Sequence, residues 1–131
     1  MSNPLRVYVA GPYSAPDHMQ VLRNIRRGQN AAKKILDSGH YPFCPFIDYQ
    51  LLFHGDENTS IETLYKYSLA FLEVCDVMIM LPGYEESKGC KGEIEFANEK
   101  KIPIVYVAKT FNMYAPMYVE LFLNEVCDGF Q

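Results

Sequence analysis

The chain has 131 residues, enough for one domain with its own hydrophobic core. Hydrophobic residues make up 49% and charged residues 21%, the balance of an ordinary globular protein, and no apolar run approaches the roughly 18 residues of a membrane span. A formal net charge of −4 argues against broad nucleic-acid binding, which needs a basic face, but leaves room for a small anionic ligand, because a helix N-terminus and a few local donors suffice for one phosphate.

The N-terminal residues lack the charged-then-apolar layout of a secretory signal, since Val7 to Ala10 is too short for an h-region, and this points to a cytoplasmic protein. Cys44, Cys75, Cys90 and Cys127 are scattered without a CxxC pair, as reduced thiols are. Cys44 and Cys75 sit in or beside apolar runs and read as packing residues. Cys90 lies within the segment that carries the candidate chemistry.

Leu5 to Ala10 (LRVYVA) is β-branched and aromatic and ends at Gly11-Pro12, which predicts a first strand. Ser14 and Asp17 have the spacing of a capping box, with Pro16 inside the first turn, and open a helix that runs to about Asp37. Leu22, Ile25, Ala32, Ile35 and Leu36 supply its apolar positions, Gly28 marks a close approach to the sheet, and Gly39 terminates it. Tyr41 to Pro45 is a short second strand weakened by its prolines. Phe46 to Ser60 is an irregular, aromatic-rich segment holding Asp48, Tyr49 and His54; an aromatic lid of this kind can stack on a nucleobase.

Thr59 or Ser60 caps a second helix, Ile61 to about Cys75, with an inward stripe of Leu64, Ser68, Phe71, Leu72 and Cys75. Ser68 is a polar residue on that apolar face. Val77 to Leu81 is a third strand, closed by Pro82-Gly83. A polar loop follows, then a third helix from Glu93 to Lys101, a fourth strand over Pro103 to Val107, and a last helix opened by Asn112 and Pro116 with Met117, Tyr118, Leu121 and Phe122 on its apolar side. Strands alternating with helices predict an α/β fold: a single doubly wound domain over residues 1–131, with a parallel sheet of four to five strands and helices on both faces.

Ligands of such sheets bind at the carboxyl ends of the strands, which directs attention to the loop after the third strand. Ser87 to Gly92 (SKGCKG) offers a hydroxyl, two lysines and two glycines that let backbone approach a ligand, an arrangement that seats a phosphate or, equally, a solvated turn. Glu93 falls on the inward arc of the following helix with Ile94, Phe96 and Ala97, whereas Glu95 lies about 200° away and faces out with Glu99. An inward carboxylate is either satisfied by the helix dipole and backbone donors or held half-buried for chemistry with a tuned pKa. Tyr8 and Tyr13, at the end of the first strand, point to the same crevice or pack at its rim.

YVAGPYS near the start and CDVMIMLPGYEESKGCKGEIEFANEKKIPIVYV further on resemble the nucleoside 2-deoxyribosyltransferase superfamily, in particular the 2'-deoxynucleoside 5'-monophosphate N-hydrolase branch and its relatives with an LPGWxxSKGAxxE-type signature. The resemblance implies a Rossmann- or flavodoxin-like domain and an N-glycoside hydrolase of (deoxy)nucleoside 5'-monophosphates, with base transfer as the variant and a non-catalytic nucleotide sensor as the alternative. It implies Glu93 as nucleophile, Tyr8 as its orienting partner, and Ser87 and Gly89 at the 5'-phosphate. Gly11, Tyr13, Ser14, Ser68 and Tyr49 are the residues expected to line the substrate site. The family's catalytic aspartate falls at Ser68 here, so the usual proton donor is missing, and three expectations stand: Asp48 substitutes, water protonates the leaving base, or activity is lost. No metal or organic cofactor is implied. The expected partners are a small nucleotide and a second copy of the chain completing the site, as a homodimer or larger homo-oligomer, with residues near Asn112 to Tyr114 reaching across.

Overall fold

The computed structural model describes residues 4–45 and 60–107. The expectations that fall on Asp48, Tyr49, His54, Cys127, Asn112 to Tyr114 and the last helix lie outside the described residues.

Four parallel strands form one sheet in the order β2-β1-β3-β4. They are β1 (Arg6–Ala10), β2 (Tyr41–Phe43), β3 (Val77–Met80) and β4 (Ile104–Tyr106). Three helices accompany them: α1 (His18–Asp37), α2 (Ile61–Leu72) and α3 (Lys88–Glu99). The two central strands are apolar almost throughout because helices cover both faces of the sheet. Alternate residues separate cleanly. Val7, Val9, Val77 and Ile79 pack with Ile25, Ala32 and Ile35 of α1, whereas Tyr8, Ala10, Met78 and Met80 pack with Leu72 at the end of α2 and Cys90 and Ala97 of α3. Each fully buried Val or Ile contributes about 1.5–3 kcal/mol relative to exposure, so these two clusters outweigh the polar contacts at the rim.

The elements differ from expectation in ways that matter for the site. α1 is capped by Asp17, whose side chain accepts from the Met19 amide, and not by Ser14; Pro16 therefore precedes the helix. Its buried stripe is Asn24, Ile25, Gly28, Ala31, Ala32 and Ile35, while Leu22 and Leu36 are exposed. The helix sits rotated by about one residue from the stripe that Leu22 and Leu36 suggest. Gly39, at φ 93°, ends it as expected. α2 stops at Leu72, and Phe71 turns outward to stack on Phe43 of β2, with ring centroids 4.6 Å apart.

The largest correction concerns α3. It begins at Lys88, so the stretch expected as a loop before Glu93 is the first turn of the helix. Ser87 is its N-cap, its hydroxyl oxygen accepting from the Cys90 amide at 3.2 Å. No helix among the described residues is long and apolar enough to cross a membrane.

Candidate active site

The strand order reverses direction between β1 and β3: the chain goes from β1 to β2 on one side, then returns to place β3 on the other. In an open α/β sheet that switch point opens a crevice at the carboxyl ends of the two strands. Gly11, Pro12, Tyr13 and Ser14 follow β1 there, and Leu81, Pro82 and Gly83 follow β3. The Arg27 guanidinium donates from Nη2 to the Pro82 carbonyl at 3.1 Å and ties α1 to this edge.

Glu93 projects from α3 onto the same side of the sheet as Tyr8. Its side chain is only 7% exposed, and the Tyr8 hydroxyl, itself fully buried, donates to Oε2. The two residues come from β1 and α3, joined across the sheet face rather than along the chain. Burial pushes the Glu93 carboxyl up from 4.5 to about 7, with the Tyr8 hydrogen bond pulling partly the other way. Tyr8 is raised well above its ordinary value by burial and then by the adjacent carboxylate, so it remains a protonated donor. A carboxyl group at about 7 carries both protonation states near neutral pH, the condition under which it can act as a nucleophile or exchange a proton.

Of the anticipated residues, Ser68 lies beside Tyr8, whereas Tyr13 packs with the α1-side cluster on the other face of the sheet and so does not share a crevice with the Tyr8 side chain. Ser68 on α2 is half-buried beside Tyr8, but its hydroxyl donates to the Leu64 carbonyl at 3.1 Å. The same hydroxyl also bonds with the Tyr8 side chain and partly offsets the rise in the Tyr8 pKa. Ser87 is half-buried at the start of α3, and Gly89 is exposed in the first turn, at the end of the helix dipole that favours an anion. Gly11 is buried against Leu81, where an added Cβ would meet the Leu81 Cβ at 3.0 Å. Tyr13 is half-buried, and its carbonyl accepts from the Asn24 side chain at 3.1 Å. Ser14 is exposed, apart from the buried pair. Lys88 and Lys91 point to solvent.

Cys90, expected in a loop, is instead in the first turn of α3. It is buried under α3, and burial raises it to about 11, which keeps it an inert thiol. Sequence reasoning missed Tyr65. It lies on α2 one turn before Ser68, and its hydroxyl donates to the Gly89 carbonyl at 3.3 Å. The available signal was its place three residues before Ser68, on the helix flank that turns towards α3. Among the described residues, no group of three or more His, Cys, Asp or Glu is arranged to hold a metal ion.

A buried glutamate anchored by a strand tyrosine, next to a helix N-terminus at a sheet switch point, defines an α/β protein with an enclosed carboxyl site. The chain belongs to a family described as a domain of unknown function (DUF7768), whose profile matches residues 5–107. The structure is similar to that of a 2-deoxyribosyltransferase from the psychrotolerant bacterium Bacillus psychrosaccharolyticus, with a TM-score of 0.56 and 17% sequence identity over 82% of this chain and 77% of that one. At that identity the similarity establishes the shared flavodoxin-like fold. No curated protein matches the chain.

Proposed function

We propose that the protein is an N-glycoside hydrolase that releases the base from a (deoxy)nucleoside 5'-monophosphate through a covalent intermediate on Glu93. The observation that carries this reading is the buried Glu93 carboxyl, held by the Tyr8 hydroxyl a few residues after a Ser87-capped helix start. The ionised carboxyl attacks C1' of the sugar while the C1'–N bond breaks, its electron pair leaving with the base. The base takes a proton from water or from Asp48, because the Ser68 hydroxyl is too weak an acid to replace a carboxyl. Water then attacks C1', its proton is lost to the medium, and the ester oxygen returns to Glu93 as carboxylate with release of the sugar 5-phosphate. Tyr8 orients the carboxyl throughout. The phosphate, seated at Ser87 and the amides of the α3 first turn, supplies binding energy remote from the bond that breaks.

Two variants rest on particular observations. The similarity to a 2-deoxyribosyltransferase favours a version in which an acceptor base replaces water. A hydroxyl in place of a carboxyl at Ser68 favours a sensor that binds nucleotide without turnover. One experiment separates them: incubate a panel of nucleoside 5'-monophosphates, with and without labelled free base, and follow base release and exchange by chromatography for the wild type and Glu93→Gln. Release abolished by Glu93→Gln supports the hydrolase, and exchange of labelled base supports transfer. Binding with no release supports the sensor. Release that survives Glu93→Gln refutes the mechanism. A second copy completing the site is part of this proposal, and sedimentation of the full chain tests it.

A further inference from the structure

Tyr65 has a seat that two other residues are shaped to accept. Its hydroxyl bonds to the carbonyl of Gly89 in the first turn of α3. In an α-helix that carbonyl also takes the amide of the residue four positions on, which here is Glu93. The phenol therefore grips the peptide that sets the Glu93 backbone. Its ring lies across Gly92, where an added Cβ would fall 2.0 Å from Tyr65 Oη and 3.1 Å from Cζ. A glycine within a helix is unfavourable by about 1 kcal/mol relative to alanine, and here the missing side chain is the notch that admits the phenol. The Glu93 charge reaches the ring: burial first, then that carboxylate, raise Tyr65 to about 12, so it stays a neutral donor.

We propose that Tyr65 is a positioning residue for Glu93, clamping the first turn of α3 against α2 from the Gly92 notch and walling the carboxyl off from water while Tyr8 holds it. The clamp's value to catalysis rests on the reading of Glu93 as nucleophile; the clamp itself does not.

The test reads Glu93 directly. The full chain is labelled with carboxyl-13C glutamate, the Glu93 resonance is assigned by its loss in Glu93→Gln, and its titration midpoint is followed by NMR with circular dichroism as the check on folding. The wild-type midpoint is expected at about 7. Tyr65→Ala admits water and lowers the midpoint towards the ordinary carboxylate range, by at least tenfold in proton affinity. Gly92→Ala drives the hydroxyl out of its notch and moves the midpoint the same way. Combining Gly92→Ala with Tyr65→Phe removes the atom that clashes, so the ring reseats without its bond to Gly89 and recovers at least half of that shift, the remainder matching the effect of Tyr65→Phe alone. An unchanged midpoint in folded Tyr65→Ala overturns the proposal, and so does a Gly92→Ala effect that is the same with and without the hydroxyl. If Tyr65→Ala does not fold, the Gly92→Ala pair decides alone. Base release is assayed beside each titration. Midpoints that move as stated with no release from any monophosphate leave the clamp standing and remove the hydrolase, whereas release with immobile midpoints removes only the clamp.

Discussion

Replacing Glu93 by glutamine should stabilise the protein, and only above a defined pH. The carboxyl is held at about 7 in the folded chain against an ordinary value of 4.5. Folding therefore favours its protonated form, and stability falls as pH rises from 4.5 through about 7. At about 1.4 kcal/mol per tenfold change in proton affinity, ionising Glu93 in place opposes folding by about 3 kcal/mol, fully expressed by pH 8. The group is almost completely enclosed, so bulk solvent does little to screen that figure. Glutamine keeps the shape and stays neutral. Urea unfolding of wild type and Glu93→Gln at pH 5 and pH 8 measures the effect, and subtracting the two pH values cancels any pH-independent cost of fitting the amide. With a slope of ~1–3 kcal/mol per molar urea, the midpoint gain of Glu93→Gln at pH 8 over that at pH 5 is ~1–3 M. A gain of the same size at both pH values would mean that Glu93 ionises as a solvated carboxyl does, and the enclosed site would fail with it.

Four further outcomes follow from the same geometry. Tyr8→Phe removes a hydrogen bond that lowers the Glu93 pKa, so the NMR midpoint of Glu93 moves above about 7 and stability at pH 8 drops by about 1.5–3 kcal/mol. Ser87→Ala loses an N-cap, at about 1 kcal/mol by urea unfolding at any pH; if Ser87 also grips the phosphate, KM rises for the monophosphate and not for the nucleoside. Ser68→Asp sets a second carboxyl beside Tyr8, which raises the Glu93 midpoint by like-charge repulsion and flattens the dependence of base release on leaving-group pKa. In the wild type, the acid limb of kcat/KM lies near 7, because the free site must ionise before it attacks; a limb near 4.5 would contradict the nucleophile assignment.

The parts of this fold legible in the sequence are those that local chemistry decides. β1 and β3 stand out because strands covered on both faces carry unbroken apolar runs, and Gly39 marks a helix end because a left-handed backbone suits glycine. The start of α3 was obscured for the opposite reason. Lys88 to Gly92 is poor helix material, with two glycines in five residues, and reads as a loop. Tertiary structure overrides that propensity: Ser87 caps the helix, and the bare Cα of Gly92 leaves room for the Tyr65 ring. Leu22 and Leu36 misled because helical spacing gives a period without saying which edge of the stripe is covered. Tyr8 and Glu93 were each legible as candidates. That the hydroxyl of one meets the carboxyl of the other depends on how α3 lies against β1, and no spacing along the chain encodes that.

The desolvation that makes Glu93 a reluctant anion in the free protein is also what suits it to the proposed reaction. In water a carboxylate gains little from a neighbouring positive charge; in an enclosed site of low dielectric the same pair attracts several times more strongly. A nucleoside in its ground state is neutral at C1' and offers Glu93 no such partner. As the glycosidic bond breaks, positive charge gathers on the sugar, and the carboxylate recovers the interaction that burial removed. The stabilisation is therefore concentrated in the transition state, which is where binding energy raises a rate. Tyr8 follows from the same reasoning: a fixed donor on Oε2 keeps enough anion present to react and leaves Oε1 as the oxygen to meet the sugar.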